Sequence, residues 1–211
     1  MPTCSRRLPG LAAAATLTLV AAGLASAASA DPATSTRVTV AGERVTIAAP
    51  KGFCVDTKST TTTTDGAFVL MSDCSLLGGR KTGQPPIGAA LTASVSAGGL
   101  AGEGDSEAGS LDELEDFATT ADGRAVLGRS GQAERVRILS TVKKDDVLYL
   151  LIEDRGRMPL AGISRTFWRA FLDVDGRTVA LSELGFEGGG LDRQQALDQV
   201  GALAAAIRAA N

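Results

Sequence analysis

The chain has 211 residues, with 21 Lys and Arg against 24 Asp and Glu, a formal charge of −3, three cysteines and no histidine. Without an imidazole, Ser-His-Asp and Cys-His nucleophile systems cannot be built, and the commonest transition-metal ligand is missing. Six Phe, one Tyr and one Trp offer little for base stacking, and the slight negative charge gives no drive toward duplexes, so no nucleic-acid partner is expected.

Residues 1–30 read as a secretory leader, with Arg6 and Arg7, an apolar stretch from Leu11 to Leu24, and the small-residue site Ala28-Ser29-Ala30 before Asp31. Ala25-Ser26-Ala27 is a second acceptable site. The stretch is rich in Ala and ends in small residues, which favours cleavage over a retained anchor, so no membrane insertion is expected afterwards. Cys4 lies upstream of the apolar stretch, which argues against a lipid-modified cysteine at the cleavage point. Ser5-Arg6-Arg7 opens like a twin-arginine signal, but Pro9 and Gly10 stand where bulky apolar residues normally follow.

Cleavage after Ala30 leaves 181 residues with 19 basic against 24 acidic side chains, and one cysteine pair, Cys54 and Cys74. In a periplasmic or secreted protein that pair is expected to form a disulfide. A chain of this size is expected to build one domain over residues 31–211.

Arg37-Val-Thr-Val and Arg44-Val-Thr-Ile alternate with period two around Ala41-Gly42 and predict a hairpin. Phe53-Cys54-Val55 and 67–72 predict a second one, folded about Thr64-Asp65-Gly66, so that the cysteine pair staples residues 53–74. The hydroxyl run from Ser59 to Thr64 is expected to be a solvated loop. Gly78-Gly79, Pro85 and Pro86 mark another loop before a strand at 89–96, with Leu91, Ala93 and Val95 on one face.

Ser110-Leu-Asp-Glu113 has the form of a capping box and predicts a short helix through Ala118, with Leu111, Leu114 and Phe117 at helical spacing. Strands are predicted at 126–129, 135–142, 146–152, 166–174 and 179–184, the last two joined by an Asp175-Gly176 turn. Asp192 is the predicted N-cap of a closing helix to Ala209 with Leu197, Val200, Leu203, Ala204 and Ile207 on one face. Tyr149-Leu-Leu-Ile152 and Phe167–Leu172 are apolar on both faces, which requires cover on both sides of the sheet. The expected fold class is therefore α+β, a mainly antiparallel sheet with helices packed on it in an α/β/α sandwich-like arrangement.

This order of an early hairpin, a middle helix, a meander and a terminal helix resembles the PsbP-type family of photosystem oxygen-evolving proteins and related bacterial secreted domains. The resemblance covers most of residues 31–211, including the strand entry Ala49-Pro50-Lys51-Gly52-Phe53 and the late Gly176-Arg177 hairpin. The stapled hairpin departs from the plant members. The resemblance implies a non-catalytic binding or assembly module and carries over no functional residue.

Seven carboxylates lie between Glu103 and Asp116, but their spacing fits no EF-hand, and several sit where a helix start favours negative charge. Asp173-Val-Asp175-Gly176 has Phe171 and Ser182 at the first and twelfth ligand places of a calcium loop, so it too reads as a turn. No metal or cofactor is expected. Gly188-Gly189-Gly190 lacks the spacing of a phosphate loop and reads as a hinge. Trp168, in register with Ala170, Leu172 and Val174, is expected in the core.

Arg135 and Arg137, at period-two spacing in a stretch rich in Arg and Lys, are the candidate face for an anionic partner. Glu153, Asp154 and Asp173 are the carboxylates available for acid and base catalysis. The expected function is a non-enzymatic exported binding or envelope-assembly module for a protein or small-molecule partner. A histidine-free carboxylate hydrolase is the alternative.

Overall fold

In the computed structural model, seven antiparallel strands form one sheet, and the sequence pattern explains why each of its faces is apolar. Met1 and residues 32–79, 87–99, 107–157, 161–189 and 191–211 are described, with residues 107–110 as backbone only. The expected leader, apart from Met1, lies outside the described residues, as do Glu103, Asp105, Pro85, Pro86 and Gly190.

β1 (Ser35–Val40) and β2 (Glu43–Ala48) form a two-stranded hairpin. Its turn residues Ala41 and Gly42 have φ of 49° and 84°. The large sheet comprises β3 (Phe53–Thr62), β4 (Gly66–Asp73), β5 (Ala89–Ser96), β6 (Val136–Lys144), β7 (Val147–Asp154), β8 (Thr166–Val174) and β9 (Arg177–Gly185). Their spatial order is β3-β4-β5-β9-β8-β7-β6. Asp175 and Gly176, with φ of 51° and 71°, make the tight turn between β8 and β9, and Asp173 accepts a bond from the Gly176 N–H at 2.8 Å.

Alternation then sorts the side chains. On one face Met71, Leu91, Leu151, Trp168 and Leu181 meet α3 (Arg193–Ala210) and the β1–β2 hairpin, through Val200, Leu203, Ile207, Val38 and Ile47. On the other face Leu148, Leu150, Ile152, Phe167 and Phe171 meet α1 (Glu107–Thr119) and α2 (Ala121–Leu127), through Leu111, Ala118 and Leu127. The fold is thus α+β and dominated by its sheets, with both faces of the large sheet carrying helices. No helix among the described residues is long and apolar enough to cross a membrane.

Three local expectations are corrected. The hydroxyl run is not a loop: Ser59–Thr62 continues β3, because β-branched threonines suit an extended backbone. The register shift between Asp56 and Thr61 is filled by the Asp56 carboxylate, which accepts from the Lys58 N–H and the Ser59 hydroxyl. The predicted strand at 126–129 is instead the last two residues of α2, its C-cap Gly128 and a bend at Arg129, and the N-cap Thr120 accepts from the Gly123 N–H at 3.0 Å. The first helix begins at Glu107, so Ser110 lies inside it.

Cys54 and Cys74 lie at disulfide distance, with Cα atoms 4.8 Å apart, at the open end of the β3–β4 hairpin.

Candidate functional site

The site begins with the inward positions of β9. Val179, Leu181 and Glu183 follow one another at period two, so the carboxyl of Glu183 is directed to the same face as two core residues. Gly185 comes next on that face, and a Cβ there would stand 2.5 Å from Glu183 Oε1. The absence of a side chain at 185 leaves the carboxyl its place.

Next to it, Trp168 of β8 points toward α3, and its indole Nε1–H donates to the Arg193 carbonyl at 2.8 Å. That carbonyl belongs to the first turn of α3, whose start is set by a capping box between Asp192 and Gln195. Opposite the helix, the chain segments flanking β8 and β9 are joined backbone to backbone: Ser164 N–H to the Gly185 carbonyl at 2.7 Å, and Glu187 N–H to the Gly162 carbonyl at 2.8 Å.

Between these parts lies a cleft of about 250 Å³. Its apolar wall comes from Leu151, Trp168, Leu191 and Ala196, and its polar groups include Glu183, Ser164 and Thr166. Phe186, 43% exposed, stands at the cleft with Glu187, Asp192 and Arg193. Ligand sites combine an apolar wall with placed polar groups, and this cleft does so on a small scale.

Glu183 is 2% exposed, and burial pushes its carboxyl up to about 7, against the pull of nearby Arg129 and of the Trp168 backbone N–H. Arg129 forms no ion pair with it among the described residues. Its guanidinium lies 3.6 Å from the Phe167 ring centroid and donates instead to the carbonyls of Ser164 and Glu183, at 3.2 and 2.7 Å. Arg169 flanks the same ring at 5.8 Å and donates to the Ser182 hydroxyl. Burial, together with the neighbouring Arg169, lowers Arg129 to about 10.

The three carboxylates singled out in the sequence do not converge. Glu153 pairs with Arg155 at 3.0 Å, and Asp173 closes the β8–β9 turn. Asp154 is fully buried and accepts from the Ser130 N–H and hydroxyl, each at 2.7 Å, and from the Gly156 N–H at 2.8 Å. Burial alone would raise its pKa, but these donors outweigh it and hold the carboxyl below its ordinary value. None of the three lines the cleft.

Arg137 is exposed on β6 opposite Glu153, whereas Arg135 ends a 3-10 turn at Ala133–Arg135, so the period-two argument does not extend to it. In the acidic stretch, Asp112 and Glu115 both hold Lys143, which pairs the helix start with the basic stretch. Among the described residues no group of three His, Cys, Asp or Glu side chains is placed to hold a metal ion. Trp168 is buried, as expected, yet it also lines the cleft.

Glu183 is the residue the sequence reading passes over. The available signal was a charged residue standing at an inward position of the alternating strand Val179–Gly185. No family model, curated protein or solved structure matches this chain.

Proposed function

We propose that the chain is an exported, non-enzymatic binding module of α/β/α sandwich-like build, and that its ligand is a small molecule held in the cleft beside Glu183. One observation carries the reading: a nearly fully buried carboxyl, without an ion-pair partner among the described residues, faces a half-apolar cleft under the first turn of α3. Buried charges are ordinarily paired, and an unpaired one at a cavity is a common mark of a site. The leader-like residues 1–30 and the Cys54–Cys74 pair support export to an oxidising compartment. The order of elements supports a PsbP-like module, and exposed Arg135 and Arg137 offer a contact for an anionic partner in envelope assembly.

The hydrolase alternative draws on the same group, since a carboxyl near 7 suits a general acid. Its candidate partners at the cleft are the exposed Glu187 and the exposed Asp192, the latter engaged with the Gln195 N–H at 2.8 Å, so neither shares the burial of Glu183. Native mass spectrometry of protein purified from the exported fraction tests the reading. A retained small molecule, released when Glu183 is replaced by Gln, supports binding; a retained product that differs from the added compound supports hydrolysis. A chain found only in the cytoplasm with bare mass contradicts both.

A further inference from the structure

We infer that the cleft takes an organic ammonium: a compact molecule whose cationic head meets Glu183 and whose apolar body lies along Leu151, Trp168 and Ala196. The inference rests on the cleft being the ligand site, as proposed above.

The charge of the cleft favours a cation. Glu183, Glu187 and Asp192 contribute three carboxylates against the guanidinium of Arg193 at the cleft and that of nearby Arg129, so the balance disfavours an anionic head. A neutral ligand would leave the desolvated Glu183 with only the pull of Arg129 and of the Trp168 N–H, whereas an ammonium would add an opposite charge in a poorly solvated place.

The donors present fit an organic cation better than a metal ion. Hard cations need several converging oxygens. Here the Ser164 hydroxyl already donates to the Thr166 carbonyl and accepts from the Thr166 N–H, and the Asp192 carboxylate caps α3. The lining around Glu183 also includes Leu151, Trp168, Phe186 and Ala196, and aromatic rings at a cleft favour an ammonium over a neutral or anionic head. The same wall rejects a strongly hydrated ion.

Binding then depends on the ionisation of Glu183. The other charged groups near it are Arg129 from the segment after α2, Glu187 from the segment after β9, and Asp192 and Arg193 from the start of α3. Its carboxyl, pushed up to about 7 by burial, is ionised above neutrality and protonated in mild acid. An ammonium therefore binds at pH 8 and is released near pH 5.5.

Three probes of one shape and three charges test this: n-hexylammonium, 1-hexanol and hexanoate. Trp168 is the only tryptophan and lines the cleft, so its fluorescence reports occupancy. The expected result is n-hexylammonium binding at least about tenfold tighter than 1-hexanol at pH 8, weakening about tenfold or more by pH 5.5, with hexanoate weaker than either. Glu183→Gln abolishes the preference for n-hexylammonium over 1-hexanol. The pH series on the unaltered protein gives the same answer without a variant. If 1-hexanol binds the unaltered protein as tightly as n-hexylammonium, or the preference survives at pH 5.5, the ammonium inference falls and the cleft remains a ligand site. If none of the three probes binds or moves the Trp168 signal, the cleft reading falls with it.

Discussion

Replacing Glu183 by Gln keeps the shape of the side chain and removes its charge, which turns its burial into a measurable pH dependence. In the folded chain the carboxyl has a pKa of about 7, against an ordinary value of 4.5, with burial as the main cause. A raised carboxyl pKa means that the fold prefers the protonated form. That stabilisation is fully present below 4.5, is lost progressively as the pH rises toward 7, and is gone above it. By pH 8 the ionised carboxylate costs the fold about 3 kcal/mol relative to a neutral side chain. Glutamine stays neutral throughout, so the variant should unfold with nearly the same free energy as the unaltered protein at pH 4.5. At pH 8 it should be more stable by about 3 kcal/mol. Urea unfolding followed by Trp168 fluorescence at the two pH values measures this, with equal m-values expected. A difference that does not change with pH, or a variant less stable at pH 8, would refute the assignment of a desolvated carboxyl.

Asp154→Asn should lower stability by about 3 kcal/mol at pH 7, because an amide cannot accept all the bonds now made by Ser130 and Gly156. The carboxyl pKa is depressed below 3.8, so its contribution is present above that value and lost as the pH falls through the lower folded value. The gap in urea midpoint between the unaltered protein and the variant should therefore be smaller at pH 3 than at pH 7. Replacing Cys54 and Cys74 together by Ala should cost about 3 kcal/mol, as expected for opening a loop with a separation of 20 residues, read from the thermal midpoint. Gly185→Ala should displace the Glu183 carboxyl, weaken n-hexylammonium binding at pH 8, and cost about 1–3 kcal/mol in a urea titration.

The elements that follow a single local rule are legible in the sequence. Alternation places β1, β2 and β5, and gives β8 its observed bounds of Thr166–Val174; the Asp192 cap and the apolar stripe place α3. Rules that compete are less legible. Ala125-Val126-Leu127 is too short an apolar run to decide between strand and helix, and Thr120 decides it by capping α2 from six residues upstream of Val126. The Thr-rich run looks like a loop when composition is weighed, and like a strand when χ1 stiffness is weighed. Adjacency of β5 and β9 is not a local property at all, since Ala89 pairs with Gly185. The site follows the same division. The carboxylates at strand ends, Glu153 and Asp154, have local partners, and the carboxyl that lines the cleft is the one that breaks the apolar alternation from within.

The side chain of Asn211 accepts from the Thr46 N–H at 2.8 Å and donates to the Thr46 carbonyl at 2.9 Å, so the last turn of α3 is fastened to the early β1–β2 hairpin. Together with the β5–β9 pairing, this makes closure of the larger core depend on contacts of long sequence separation. Such contacts slow folding. A chain shortened before Arg193 would lack Val200, Leu203 and Ile207, leaving the apolar face of β8 and β9 without its cover. Nascent chains still missing that segment would thus stay open and accessible to chaperones, and the native state would be reached only once residues 193–211 are available to seal it.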